Sequence, residues 1–293
     1  MIAENQSNLK VHFAGCENIP NLKVLLLFEA YYLLYTAFPF VDRIVNGKSS
    51  FPIMSCDVGD KGIPRFVYEN SKHSIQDSGL FSLMFGSKKG TLNKNDIEKW
   101  YNGLLQHTIE SGFKGTCVEV DCQKLFGVEL AWEYRKRLKK DLPNNRHINV
   151  FHIEDGQKGL DRMIEFSNYI AISVPELRFL GKKDYIEKLA NYIKNKKPEI
   201  DIHLLGCTEG KLLKKLNFCS SSDSTSWISP SRYGYVLGNK VSTIDIKKTL
   251  EVLLKEKDLT DVLKWRSKEN LSMLSISVLD CLEKYTLSAG RQD

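Results

Sequence analysis

The strongest constraint on this chain is a rhythm. Short runs rich in β-branched and apolar residues alternate with longer segments whose apolar residues recur every three or four positions. A strand pattern at 11–15 precedes a helical pattern at 22–38, 74–77 leads to 95–111, and 117–121 leads to 128–140. The alternation continues with 148–152 before 159–166, Tyr169–Ser173 before 183–194, and Asp201–Leu205 before 209–216. A seventh candidate strand lies at 218–222 and a later helix at 243–254. The most apolar stretch, 24–40, reads as a buried helix ended at Pro39.

Seven or eight such units in one chain imply a parallel α/β architecture, because parallel strands need crossover connections and helices supply them. An open doubly wound sheet and a closed barrel both satisfy the rhythm. No GxGxxG turn follows the first strand, where Ala14-Gly15-Cys16 makes only a small turn, so the dinucleotide-binding sheet loses its main support. The 293 residues suit the closed form, whose usual size is about 250 residues. The expected fold is therefore a (β/α)8 TIM-like barrel over about 11–255, followed by extra C-terminal helices over about 256–290. No Pro-, Gly- or Ser-rich linker divides it, so 1–293 reads as one domain.

Composition narrows the class of function. An apolar share of 42% and a charged share of 27% are ordinary for a globular chain. The net charge of +6 permits a polyanionic partner without requiring one. The basic clusters at 135–140, 194–197 and 211–215 read either as solvated helix faces or as a surface that tracks phosphates. Seven scattered cysteines with no CxxC pair indicate neither a disulfide framework nor a zinc knuckle, and they fit reduced thiols in a cytoplasmic protein. Residues 1–10 lack the layout of a signal peptide, and 24–40 is too short and too polar for a membrane span.

In a barrel of this kind, chemistry gathers at the C-terminal ends of the strands. Read there, the sequence offers Asp77, Asp121, His152, Glu176, Gly206 and Asp223, the last in a Ser-rich stretch, 220–226, that reads as a site loop. Single acidic residues at strand ends often cap the next helix. A concentration of them suits glycosyl transfer: one carboxylate attacks the anomeric carbon while a second group manages the leaving group's proton.

Two motifs then become recognisable. Asp77-Ser78-Gly79-Leu80-Phe81 resembles the DSGGF signature of tRNA-guanine transglycosylases, and Asp223 falls where that family has its nucleophilic aspartate. Glu119-Val120-Asp121, Val150-Phe151-His152 and the stretch from Ile172 to Glu176 follow in the family's order, as aspartate, glutamine and GLAVGE positions that contact the base. With His203-Leu-Leu-Gly206 and Asp223-Ser-Thr-Ser-Trp227, the chain is most similar to the phage and bacterial branch that inserts 7-deazaguanine derivatives into DNA. The resemblance spans about 11–240.

The resemblance implies a base-exchange enzyme. Asp223 would form the covalent link to C1′ and Asp77 would act as general acid and base. Phe81 would stack on the base, Asp121 would accept from its N–H groups, and His152, Glu176 and Gly206 would line the pocket. Ser78 and Gly79 would present backbone N–H groups. Arg232, just past the nucleophile, would bind phosphate or make a structural salt bridge. The implied partners are DNA, or alternatively tRNA, and a free 7-deazaguanine base, with no metal, nucleotide or redox cofactor. The chain departs from the family at Leu80 and Ser82, where the signature has Gly and Gln. It also has Ala171 and Pro175 for two glycines, and it lacks the CxCxxC zinc set of the tRNA enzymes. Rival expectations are a tRNA enzyme without zinc, a catalytically silent partner subunit, and an unrelated barrel hydrolase acting on nucleosides.

Overall fold

A computed structural model describes residues 9–47, 59–85, 92–233, 235–236, 239–240, 251 and 267–289. Its centre is a closed barrel of eight parallel strands in sequential order: β1 (Lys10–Ala14), β2 (Tyr32–Thr36), β3 (His73–Asp77), β4 (Thr116–Val118), β5 (Arg146–Phe151), β6 (Tyr169–Ser173), β7 (Asp201–Leu205) and β8 (Ser221–Ser224). The ring closes where β8 runs beside β1, with Lys10 opposite Ser221 and His12 opposite Asp223. Closure gives every strand of the barrel two neighbours and leaves the barrel no edge to protect. The chain is thus a (β/α)8 TIM-like barrel.

Helices fill the connections: α1 (Ile19–Leu27), α2 (Phe38–Asn46), α3 (Gly59–Glu69), α4 (Leu80–Phe85), α5 (Lys94–Ser111), α6 (Gln123–Phe126), α7 (Val128–Asp141), α8 (Gly156–Phe166), α9 (Val174–Phe179), α10 (Lys183–Lys196), α11 (Gly210–Lys215) and α12 (Ser229–Tyr233). Phe13, Leu33, Ile170, Ile202 and Leu204 face outward into a core they share with Trp100, Trp132, Ile186 and Leu189 of the helices. A C-terminal helix, Lys268–Ala289, buries Leu271, Leu274 and Val278 and packs against α1, α11 and α12 beside β1, covering the seam where the barrel closes. Of the helical pattern at 243–254, only residue 251 is among the described residues. No helix among the described residues is long and apolar enough to cross a membrane.

Two sequence expectations are corrected. The stretch read as one helix over 22–38 holds α1, then β2, then the start of α2. Glu29 takes a left-handed φ of 58° just past α1, which turns the chain out of the helix. Strand β2 is covered on both faces, Leu33 outward and Leu34 inward, so its residues form a continuous apolar run that periodicity cannot tell from a buried helix. Pro39 stands in the first turn of α2, where a missing N–H costs nothing, so it opens a helix rather than closing one. The second correction concerns 220–226. Asp223 is not in a loop; it lies within β8, and Asp77 is the last residue of β3.

The barrel interior is only partly apolar. Ala14, Leu34, Ile75, Val118, Ile148, Val150 and Ala171 form one inward cluster. Two residues before several of these, and so on the same face of their strands, stand His12, His73, Thr116 and Tyr169, with His203 two before Leu205. His12 Nε2 meets His73 Nδ1 at 2.7 Å, its Nδ1 donates to Ser222 O at 3.2 Å, and His73 Nε2 meets Thr116 Oγ1 at 3.1 Å. Burial, with like-charge neighbours behind it, pushes His12 far below the ordinary histidine pKa and His73 to about 4. Neutral rings can serve as both donor and acceptor, which satisfies this chain without a buried charge.

Candidate active site

The C-terminal mouth of the barrel gathers three carboxyl groups. Asp77 ends β3, and its neighbours fix its orientation: its carbonyl accepts from Ala37 N at 2.8 Å and its Oδ2 accepts from Gly79 N at 3.2 Å. Gly79 has φ +72°, and a Cβ there would lie 2.6 Å from Phe38 N, so only glycine lets the turn pass so close to α2. Burial, then the carboxylates of Asp121 and Asp223, push the Asp77 pKa up to about 7 against the pull of its Gly79 and Thr36 hydrogen bonds. Near neutrality this group can give or take a proton.

Asp121 follows β4 and Glu176 opens α9, and His152 at the end of β5 bridges them. Its Nε2 lies 3.1 Å from Asp121 Oδ2 and its Nδ1 2.6 Å from Glu176 Oε2. Lys124 of α6 reaches the other Glu176 oxygen at 2.6 Å. Burial alone would lower the imidazole pKa, yet the two carboxylates outweigh it and raise it to about 10. Both ring nitrogens thus act as donors. The sequence expectation put His152 and Glu176 on the far edge of a bound base; the structure joins them to Asp121 in one charge-balanced row. His152, Glu154 and Glu176 also bring donor atoms within 4.8 Å of one another, but both His152 nitrogens are already engaged.

This row yields a stability prediction. The imidazole of His152 has a pKa of about 10 when folded against a reference of 6.5, so its protonation stabilises the fold fully below pH 6.5 and is lost as pH rises through 10. His152→Leu is expected to cost about 3 kcal/mol near pH 6, because it takes the cation from the partly buried Asp121 and leaves Glu176 with Lys124 alone. The gap in melting temperature between wild type and variant should narrow steadily from pH 6.5 to 10, and a gap independent of pH would refute the assignment.

Asp223 projects from β8 with its side chain 13% exposed. Its Oδ1 accepts from Gly206 N at 2.9 Å and meets His203 Nε2 at 3.1 Å, while no described residue bonds Oδ2. Gly206 has φ +62°, and a Cβ would meet Pro175 at 2.7 Å, so the loop after β7 needs glycine to aim this N–H. Of the remaining expected residues, Ser78 is buried: its Oγ accepts from Leu80 N at 3.3 Å and its carbonyl accepts from Trp100 Nε1 at 3.0 Å. Phe81 stands on α4, 67% exposed, at the rim. The Arg232 side chain lies outside the described residues.

Three groups carried no role in the sequence reading. His203 and Lys124 touch the acidic residues directly. The third is a buried network beneath the site: Glu119 accepts from Arg135 Nε, Asn149 Nδ2 and Val150 N, and Arg135 also pairs with Asp155, whose Oδ2 accepts from His152 N. Arg135 was read as part of a basic helix face; it is wholly buried, because α7 turns that position toward the barrel. Lys194 and Lys197 spend their charges on the carbonyls of Ile200 and Ser167, at 2.7 and 2.8 Å.

The mouth therefore combines a carboxyl group that titrates near neutrality, a carboxylate with one oxygen held and the other unbonded by any described residue, and a third carboxylate backed by an imidazolium. Compared with known proteins, the sequence matches no family model and no curated protein.

Proposed function

We propose that this chain is a base-exchange transglycosylase that replaces guanine in DNA with a 7-deazaguanine derivative through a covalent glycosyl-aspartate intermediate. The observation that carries the reading is the unequal treatment of two aspartates at one barrel mouth. Asp77 is held near pKa 7 by burial and by neighbouring carboxylates, while Asp223 has Oδ1 engaged and no described residue bonds its Oδ2. Double displacement needs such a pair, one group to attack and one to shuttle a proton. The resemblance of Asp77 to Phe81 and of Asp223 to the transglycosylase motifs supplies the substrate class.

In this reading a nucleotide is extruded into the mouth, since C1′ is hidden within a stacked duplex. Asp223 Oδ2 attacks C1′, the C1′–N9 bond breaks, and Asp77 protonates N9 of the departing guanine. The incoming base gives its N9 proton to Asp77 and attacks C1′, which regenerates the Asp223 carboxylate with net retention. Asp121 accepts from the N–H groups of the base through the oxygen that His152 leaves free.

The discriminating experiment is incorporation of labelled guanine into DNA and into tRNA, with denaturing gels to detect a covalent adduct. Exchange into DNA supports the proposal, and exchange into tRNA alone moves it to the polymer of the tRNA enzymes. Release of base without an acceptor replaces it with hydrolysis. A second prediction concerns pH. The first displacement consumes the Asp77 proton, so its single-turnover rate should fall as pH rises past about 7. Asp77→Asn should remove that limb along with most of the rate; an unchanged profile would count against Asp77.

A further inference from the structure

The two oxygens of Asp223 differ because the barrel interior reaches only one of them. His203 is wholly buried, with Nε2 at 3.1 Å from Oδ1. Its Nδ1 contacts Ser221 Oγ, which in turn contacts the Tyr169 hydroxyl. When Tyr169 donates to Ser221 and Ser221 donates to Nδ1, the ring proton sits on Nε2 and points at the carboxylate. Ser221 pairs with His203 across β7 and β8, so the chain of donors is built from rigid strand positions. An apolar layer like that of Ala14, Leu34 and Ile75 would fill this space without buried polar groups to satisfy, so the polar chain has a use other than packing.

We propose that His203 is a positioning residue: together with Gly206 N–H it fixes Oδ1 as the non-bonding oxygen of Asp223 and turns the carboxylate into a good leaving group in the second half of base exchange. This deepens the reading above and rests on it. In the first displacement Oδ2 gives an electron pair to C1′, the C1′–N9 pair goes to the base, and Asp77 supplies the N9 proton. In the second, Asp77 takes the N9 proton of the new base, N9 bonds to C1′, and the C1′–Oδ2 pair returns to the carboxylate. Negative charge leaves Oδ1 in the first step and returns in the second. Donors fixed on Oδ1 therefore restrain the attack and speed the release, because they favour whichever state carries the charge.

The test uses the full-length chain and a labelled DNA oligonucleotide, quenched into denaturant at timed intervals and then chased with excess 7-deazaguanine. His203→Leu should slow decay of the covalent adduct about 100-fold, the usual scale for one lost donor. Adduct should build up in the steady state, which a merely loosened fold would not produce. His203→Gln, whose amide N–H can stand where Nε2–H stands, should restore most of the decay rate. Adduct that decays at the wild-type rate in His203→Leu would overturn the proposal, as would a loss confined to adduct formation. Should His203→Leu fail to fold, Ser221→Ala keeps the ring and removes its tautomer control, and it should prolong the adduct by a smaller factor.

A wild type that forms no adduct on DNA or tRNA would instead defeat the base-exchange reading. The positioning role is then read by 15N NMR: the His203 ring should be in the Nε2–H form, with a shift that moves in Asp223→Asn. An Nδ1–H ring, or one indifferent to Asp223, would overturn it.

Discussion

On the base-exchange proposal, Asp223→Ala is expected to reduce labelled-guanine exchange by about 10^4-fold or more and to abolish covalent capture, since loss of a nucleophile removes the step rather than weakening it. The fold should survive. Asp223 is partly exposed, and what it leaves behind is one backbone N–H and one imidazole that water entering the mouth can reach. Asp121→Ala provides the contrast: Asp121 meets the base in this reading, so its loss should act chiefly through a raised KM for the free base, with adduct still formed. Full exchange by Asp223→Ala would end the nucleophile assignment. Equal loss in both variants, with no adduct in either, would point to a structural rather than a chemical division of labour.

The barrel was legible where strands alternate with helices and each carries its own periodicity. Tyr169–Ser173 and Asp201–Leu205 were read with the same bounds that the structure has, because each is a short β-rich run with a Pro or Gly within two residues of its end. Strand β2 was lost inside an apolar run for the converse reason: covered on both sides, it shows no alternation. Strand β8 was expected at 218–222 and lies at Ser221–Ser224, so only its first two residues were read as strand. Ser-Ser-Asp-Ser has no apolar residue at all, and it is a strand because β7 and β1 flank it and complete its hydrogen bonds. Propensity carries little weight when both neighbours are already in place.

The site was legible as a set of residue types at strand ends and illegible as a set of bonds. Asp77, Asp121, His152, Glu176, Gly206 and Asp223 do meet at one mouth. Nothing in the residue order says that His152 spends both nitrogens on carboxylates, or that His203, an inward residue of β7, reaches Asp223. A histidine at an inward position two residues before a strand end was the available signal, and it needed the closed barrel before it meant anything. Arg135 was hidden by its neighbours, since a run of Arg-Lys-Arg gives no hint that one member faces inward.

That residue supports the largest stability effect. Arg135→Met should destabilise the chain by about 3–5 kcal/mol, the cost of leaving buried carboxylates without their cation. On the scale of a chain this size, the melting temperature should fall by about 10 °C. Glu119 and Arg135 have fully buried side chains, and Arg135 Nε lies 2.9 and 2.7 Å from the two Glu119 oxygens, so solvent cannot take over either role. Glu119 also accepts from Val150 N at 2.8 Å, which extends the β4–β5 pairing by one side chain beyond the end of β4. Releasing it frees the segment that carries Asp121 on one side and His152 on the other, so on the base-exchange proposal the same variant should raise KM for the incoming base more than it lowers adduct formation at Asp223. Denaturant unfolding of Arg135→Met, Glu119→Gln and the double variant separates these effects. The sum of the two single losses should exceed the loss in the double, because Glu119→Gln removes the charge that Arg135→Met leaves unpaired on Glu119, while Asp155 loses its cation in both variants that lack Arg135. A loss below about 1 kcal/mol in Arg135→Met would mean that the buried pair adds nothing beyond its packing.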